Sequence, residues 1–421
     1  MNALKLILRS AAYYWRTHAG VAAGAAVATA VLVGALVVGD SVRYTLRTLA
    51  LRRLGETSVA MSSADRFFRA EPVDAHSADL ARSDLAGSMQ ADLAAPVAPV
   101  LMLDGSAKTP DGAGRANQVQ VVGADGRFWP LGQAANPLSQ AAPDDVVIND
   151  HLARQLGAKV GDAVLLRVPV PSGLPREAPL STDRDAVAAI RVTVREIIDD
   201  SRFGRFSMRA NQLAPQTAFL PLATLQRAVK LAGKANMLLV AGAGQPNAPT
   251  AAEANAALRK HLRLTDAGLQ LRDLGSGSRE LRTGRVFLDT NVTAAAMDID
   301  GAMGVLAYFV DEVRLAGRAA PYCILAGMDA NRPGAPPSIV PPGMGDDEII
   351  LNAWLAEDLA AKAGDTVTLA YRTLGPMRTF VAKTASLRVR AVVPIAGPAD
   401  DPNLMPDFPG LTGVDNCTEW R

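Results

Sequence analysis

The stretch Ala19–Gly39, AGVAAGAAVATAVLVGALVVG, constrains the rest of this chain more than any other feature. It holds no charge and no proline, and nothing more polar than one threonine. About 20 apolar residues in a helix cross the roughly 30 Å hydrocarbon core of a bilayer. Only a helix or a closed barrel can do so with its backbone groups satisfied. A cleaved signal peptide would have an apolar region of about 7–15 residues ending in small residues. This run is longer, and no convincing A-x-A site follows it. A helix buried in a soluble protein is disfavoured by an uncharged run of this length. The sequence predicts a retained transmembrane helix over 19–39.

Its flanks fit that reading. Leu4, Ile7, Leu8 and Ala11 fall at helical spacing with Lys5 and Arg9 between them, and Tyr13, Tyr14 and Trp15 follow. Residues 1–18 therefore read as an interfacial amphipathic helix, its apolar side on membrane lipid and its aromatics at the water boundary. After the span, Val42, Leu46 and Leu49 share one face, and Arg43 and Arg47 lie on another. No proline interrupts Ala19 to Gly55, so the helix is expected to continue as a stalk over 40–56, with Gly55 as a plausible stop. Lys5, Arg9 and Arg16 precede the span and Arg43, Arg47, Arg52 and Arg53 follow it, so charge alone does not orient it.

Composition excludes several classes. A net charge of +1 lacks the basic excess of a general nucleic-acid binder. Cys323 and Cys417 make neither a disulfide framework nor a metal site, and His18, His76, His151 and His261 are far apart in the chain. No GxxxxGK[ST] phosphate loop occurs, and no HExxH, GxSxG or CxxC. The paired acids at 144–145, 199–200, 346–347 and 400–401 fall at strand ends and loops, where adjacent carboxylates usually face solvent. In SRFGRFSMR, Arg202, Arg205 and Arg209 read as a charged loop with Phe203 and Phe206 as ring anchors. His151 occupies a helix position whose repeat equivalent is Trp354, so it is read as packed or half-exposed and not as a ligand. No catalytic, cofactor-binding or metal-ligating residue is assigned.

Beyond the stalk the chain repeats itself. Residues 144–162, DDVVINDHLARQLGAKVGD, align without gaps to 347–365, DEIILNAWLAEDLAAKAGD. Each copy parses as strand, helix with Asn149 or Asn352 near its start, Gly-Asp turn and strand. A β-branched strand, IRVTVREII or SLRVRAVVPI, closes each. Leu152, Leu156, Leu355 and Leu359 are expected on buried helix faces. Upstream, NQVQVVGAD matches PYCILAGMD, and DRFFR (65–69) matches GRVFLD (284–289). Between the copies, FLPLATLQRAVKLAGKANMLLVAG reads as strand, helix, strand; AAEANAALRKHL as a helix; and DAGLQLRDL as a strand. The Pro/Gly-rich or polar stretches 171–186 and 330–347 read as surface excursions.

The basic amphipathic start, the span, VVGAD, VVINDHLARQLGAKVGDAVLLRV, IRVTVREII and AFLPLATLQRAV together resemble FtsX-like/MacB-type ABC transporter permeases. The likeness to their extracytoplasmic core runs from about Gly20 to Leu264, and the second copy looks like a further piece of the same kind. The resemblance implies an α+β fold: an N-terminal transmembrane helix with stalk, then a duplicated mixed α/β extracytoplasmic domain of MacB periplasmic-core type. The expected divisions are 57–275 and 276–400, with a polar tail over 401–421. It implies that the first span leads from cytoplasm to outside in a bacterial cytoplasmic membrane. It also implies a separate cytoplasmic ABC ATPase and a second permease copy or half as partners. Family members carry further spans, so this chain reads as an N-terminal portion of such a permease, coupling ATP hydrolysis elsewhere to export or extraction. The alternative is a single-span anchored binding or structural module. Gly20, Gly24 and Gly34 are candidates for helix packing in the membrane, and Arg43, Leu46 and Arg47 for coupling along the stalk.

Overall fold

The computed structural model describes residues 3–70, 84–171, 187–209, 214–274, 277–285, 287–329, 339–375, 379–401 and 404. The tail expected over 401–421 lies outside these apart from Asp401 and Leu404, as do 172–186 and 330–338 of the two loop excursions. Contacts divide the chain into two compact units, Met1–Pro171 with Asp185–Ala267, and Ser172–Arg184 with Gly268–Arg421.

The first unit begins with α1 (Ala3–Tyr13) and α2 (Trp15–Leu54). The helical run is interrupted at Tyr14 and not at residue 18. Even there the Tyr14 amide donates to the Ser10 carbonyl at 3.0 Å, and His18 to Tyr14 at 3.0 Å. Helix α2 then runs 40 residues without a break, about 60 Å at 1.5 Å per residue.

The body follows in the order β1 (Thr57–Ser62), β2 (Phe68–Arg69), α3 (Leu85–Leu93), β3 (Val97–Lys108), β4 (Arg115–Ala124), β5 (Asp145–Asn149), α4 (Asp150–Leu156), β6 (Ala163–Pro169), β7 (Val187–Ile198), β8 (Gln216–Pro221), α5 (Leu222–Ala228), β9 (Lys234–Ala235), β10 (Met237–Ala241) and α6 (Ala251–His261). Strands β3, β4, β8, β5, β7 and β6 hydrogen-bond in that order, and β6 returns to β3, which closes a six-stranded ring. Strands β10 and β1 extend it from β3. Strands β5, β8, β10 and most of β4 are buried on both faces and read as apolar runs, whereas β6 and β7 alternate buried with more open residues. Val121, Val146, Ile148 and Leu220 face one core with Leu152, Leu156 and Leu225 from the helices. Val122, Val147 and Phe219 face a second core of aromatic rings.

The second unit contains β11 (Leu269–Asp273) and β12 (Arg279–Thr283), which pair as a hairpin, then α7 (Thr290–Met297). There follow β13 (Val305–Leu315), β14 (Arg318–Met328), β15 (Glu348–Asn352), α8 (Ala353–Leu359), β16 (Thr366–Leu374) and β17 (Phe380–Val393). Its sheet runs β14-β13-β16-β17-β15.

The internal repeat is real at the level of single hydrogen bonds. Strands β5 and β15 each run parallel to the closing strand, β7 or β17, with a register shift after the second residue. Asn149 and Asn352 cap their helices by accepting from Leu152 and Leu355 amides at 3.0 and 2.8 Å. The Lys159 and Lys362 amides donate to Asp162 and Asp365, both at 2.7 Å. The Gly161 and Gly364 amides donate to Val194 and Val389 carbonyls, again at 2.7 Å. The hairpins β3–β4 and β13–β14 are equivalent too, each packing its first strand against β6 or β16. The match of 65–69 to 284–289 does not hold. Phe68 and Arg69 pair with β9, whereas the described residues of 284–289 form no strand and Phe287 is exposed. Helix α8 buries Leu359, while Leu355 is only half-buried.

The shared leucine gives a paired test. Leu156 and Leu359 are each at most 4% exposed, and Leu→Ala at such sites costs about 2–5 kcal/mol. Leu156→Ala and Leu359→Ala should therefore each lower the unfolding free energy by about 2–5 kcal/mol, read from denaturant melts. A change under about 1 kcal/mol in either would mean that its helix does not pack as its copy does.

Candidate functional site at the membrane helix and its junction

A run of apolar side chains on a helix with nothing packed over it belongs in lipid. In α2 the apolar window has a mean hydropathy of 2.4, and none of it is buried. By length and composition this helix can cross a membrane. Gly20, Gly24 and Gly34 have open space around them in the chain, so a Cβ at each would meet nothing within 4 Å. Thr29 satisfies itself by donating to the Ala25 carbonyl at 2.8 Å and needs no partner.

The stalk stays exposed through Leu46 and Arg47. Arg43 lies 4.0 Å from Asp40 with both side chains open to water, a spacing and exposure at which ion pairs contribute roughly 0–1 kcal/mol. Side chains become partly buried from Thr48 and Leu49 onward, and in the last turn Arg53 is buried. The joint itself is made by residues that the sequence reading treated as a stop signal or passed over.

Gly55 ends the helix at φ +58° and ψ −133°, a conformation that only glycine adopts readily. A Cβ there would lie 2.2 Å from the Leu131 carbonyl oxygen. The next residue accepts and donates on several sides. The Glu56 amide donates to that Leu131 oxygen at 2.7 Å, and its carbonyl accepts from Gly242 and Ala243 amides at 2.8 and 2.9 Å. Gln133 donates from Nε2 to the Glu56 carboxylate at 2.7 Å. Thr57 then enters β1 opposite Ala241.

Beneath the joint lies the aromatic core. Leu131 is buried beside Phe128, Trp129, Phe203, Phe206 and Phe219. Phe203 lies so close to Gly132 that a Cβ there would come within 2.3 Å of the ring. Phe203 and Phe206 are thus the ring anchors expected from SRFGRFSMR, and the cations around them are paired. Arg202 bonds Glu196, Arg205 lies 2.9 Å from Asp200, and Arg209 lies 2.6 Å from Asp104. The anchors were legible in the sequence; the target they grip, Leu131–Gly132, carried no signal beyond a glycine in WPLGQ.

One cluster has ligand-like composition. Oxygens of Asp150 and Asp200 and a ring nitrogen of His151 lie within 4.8 Å of one another. Both carboxylates already face guanidinium groups, Asp150 to Arg154 at 3.0 Å and Asp200 to Arg205 at 2.9 Å. Arg154 also approaches His151 Nδ1 at 3.2 Å. A cation would have to displace these arginines, so the geometry is that of a surface ion-pair network. The equivalent Trp354 is exposed, which places this helix position outward in both copies.

A family model of the MacB-like periplasmic core domain matches residues 19–259, more than half of the 421-residue chain. The chain belongs to this family. The match starts at the membrane helix and ends within α6, so it takes in the span, the stalk and the ring of the first unit. No curated protein matches the chain. Among solved structures, the extracellular domain of the noncanonic ABC-type transporter YknZ from Gram-positive bacteria is 9% identical, with a TM-score of 0.29, covering 50% of this chain and 94% of that one. The periplasmic region of MacB from Actinobacillus actinomycetemcomitans is 10% identical, with a TM-score of 0.30, covering 59% and 97%. As a member of the MacB-like family, the chain is a component of ABC-transporter type. It is anchored in the membrane by α2 and carries an extracytoplasmic α/β domain.

Proposed function

We propose that this chain is the N-terminal part of a permease in which α2 carries movement between the membrane and the extracytoplasmic body. A separate cytoplasmic ABC ATPase would supply the motion, and the output would be export or extraction of a substrate. The observation that carries this is the continuity of α2 from Trp15 to Leu54 together with the hydrogen-bonded joint at Glu56. A rigid helix passes displacement along its axis without loss in a hinge, whereas a simple tether needs no such joint. Gly20, Gly24 and Gly34 supply the small surface for close approach of a second permease copy or half. Arg43, Leu46 and Arg47 face outward along the segment through which movement must pass.

Arg47→Pro tests the reading, because proline breaks an exposed helix at a local cost of about 3 kcal/mol. In the complex reconstituted with its ATPase, the variant should keep ATP turnover and a folded body yet lose most export. Normal export alongside normal ATPase activity would make the stalk an inert tether and favour an anchored module.

A further inference from the structure

We infer that the tip of the β3–β4 hairpin and strand β6 form a binding site for a doubly charged phosphoryl group. A cavity of about 300 Å³ opens there, lined by Ser106, Ala107, Lys108, Gly112, Arg115 and Arg167. Strand register puts its cations on one face. Lys108 lies directly opposite Arg115 on β4 and opposite Leu165 on β6, while Ser106 lies opposite Arg167. Residues two apart on a strand point the same way, so Lys108, Arg115 and Arg167 share one side of the sheet. Ala107, Ala116, Leu166 and Val168 are buried on the other side, in the core. Arg191, opposite Leu165 on β7, extends the row of cations.

Such a placement is unfavourable by itself. Like charges directly opposite on adjacent strands destabilise a sheet, and here a third cation lines the same cavity. Other arginines of this unit are neutralised: Arg195 by Asp145, Arg202 by Glu196 and Arg209 by Asp104. Among the described residues, Lys108, Arg115, Arg167 and Arg191 have no carboxylate partner. Asp111, at the hairpin tip, already accepts from the Thr109 hydroxyl and the Ala113 amide. Arg115 donates from Nε to Asn117 Oδ1 at 2.7 Å. That bond orients the guanidinium and leaves its terminal nitrogens for an incoming anion.

Charge and size set the ligand. A lone carboxylate brings one negative charge, whereas a phosphoryl group brings close to two and three acceptor oxygens. Guanidinium forks match phosphate oxygens in pairs, the Lys108 ammonium adds a point charge, and the Ser106 hydroxyl is a further donor. The volume lies at the lower end of small-molecule sites and suits a phosphoryl group on a small carrier. Strand β4 leads from Arg115 at this cavity to Ala124 in the aromatic core beneath the joint, about 30 Å away. The site therefore lies at the end of the ring remote from α2, and binding there requires no movement of that helix.

Titration calorimetry of the full chain in neutral detergent micelles at low salt tests this. Inorganic phosphate is the soluble probe, and micelles doped with phosphatidic acid present the same group on lipid. Wild type should bind saturably, with an affinity that falls as salt rises. Arg167→Gln and Lys108→Met should each weaken binding at least about tenfold. Arg259→Gln, an equal loss of charge on α6, should leave it unchanged. The Lys108 and Arg167 side chains are exposed, so both variants should fold. Without probe, Lys108→Met should melt no lower than wild type, because it relieves the opposed charges. With saturating phosphate, wild type should melt higher than this variant. Uptake of free phosphate would identify a soluble carrier, and uptake from doped micelles alone a lipid headgroup; either supports the site if Arg167→Gln abolishes it. Failure of both probes to bind saturably would overturn the proposal. So would binding that Arg167→Gln leaves intact, or displacement by acetate at the concentration of phosphate, which would mean a diffuse positive surface.

Discussion

Asp266→Ala should cost the first unit about 3–5 kcal/mol, the usual price of breaking a buried ion pair from one side. The Asp266 side chain is fully buried and that of Arg69 nearly so. The two bond in parallel, Arg69 Nε to Oδ1 and its terminal nitrogen to Oδ2, both at 2.9 Å. Backbone amides of Arg69 and Arg263 add two more bonds at 2.9 Å. The same guanidinium reaches the His261 carbonyl at 3.1 Å, tying β2 to the end of α6. Alanine would leave Arg69 charged with its principal acceptor gone. Burial pushes the Asp266 carboxyl up, but hydrogen bonds from Arg69 and Arg263 outweigh it and hold the group below the ordinary carboxylate value. A carboxylate depressed in the folded state stabilises above its unfolded pKa of about 3.9, and that stability is lost as pH falls through the folded value. Urea melts at pH 7 should show the full deficit in the variant. The wild type should give up this advantage only below about pH 4. A deficit under 1 kcal/mol at pH 7 would mean that the pair is replaceable by water.

Gly55→Val should be the most damaging single change at the joint. It places a β-branched residue in a conformation that costs about 1–3 kcal/mol, and its Cβ would fall 2.2 Å from the Leu131 oxygen. Such overpacking adds about 1–3 kcal/mol. The backbone must move, and the Glu56 bonds to Leu131, Gly242 and Ala243 go with it. The ring has its own cores and should stay folded, whereas the last turn of α2 should come away from it. Trypsin reads this directly, because Arg53 is buried in that turn. Cleavage after Arg53 should be at least about tenfold faster in the variant. Equal cleavage rates would show that the helix end is not held by this contact.

Local chemistry is what sequence reading saw well. Ala19–Gly39 announced itself by the absence of charge, and α2 runs through it into the stalk. The repeated strand-helix-strand units were legible because an asparagine cap, leucines at helical spacing and a Gly-Asp turn all sit within twenty residues of one another. Ring closure was not legible, since β4–β8 and β3–β6 join distant stretches whose apolar runs carry no partner label. The Arg69–Asp266 pair spans 197 residues, and nothing in the sequence around either residue points to the other. Gly55 was visible as a helix stop, but its closeness to Leu131 depends on a loop folding back from elsewhere. The supposed match of DRFFR to GRVFLD failed for a related reason. Two short aromatic segments can look alike while only one finds a strand, β9, to pair with.

The strand that leaves the joint, β1, has β10 as its partner, and Ser58 Oγ donates to the Ala241 carbonyl 183 residues further on. A ribosome delivers about 5–20 residues per second. The membrane helix of a nascent chain is therefore made on the order of 10 s or more before the strand that secures its far end. Through that interval β1 has no ladder, and Glu56 has neither Gly242 nor Ala243 to bond. Every newly made copy passes through a stage in which it is inserted but mechanically disengaged. Closing so long a loop is also slow by nature. During biogenesis the anchor comes first and the linkage last.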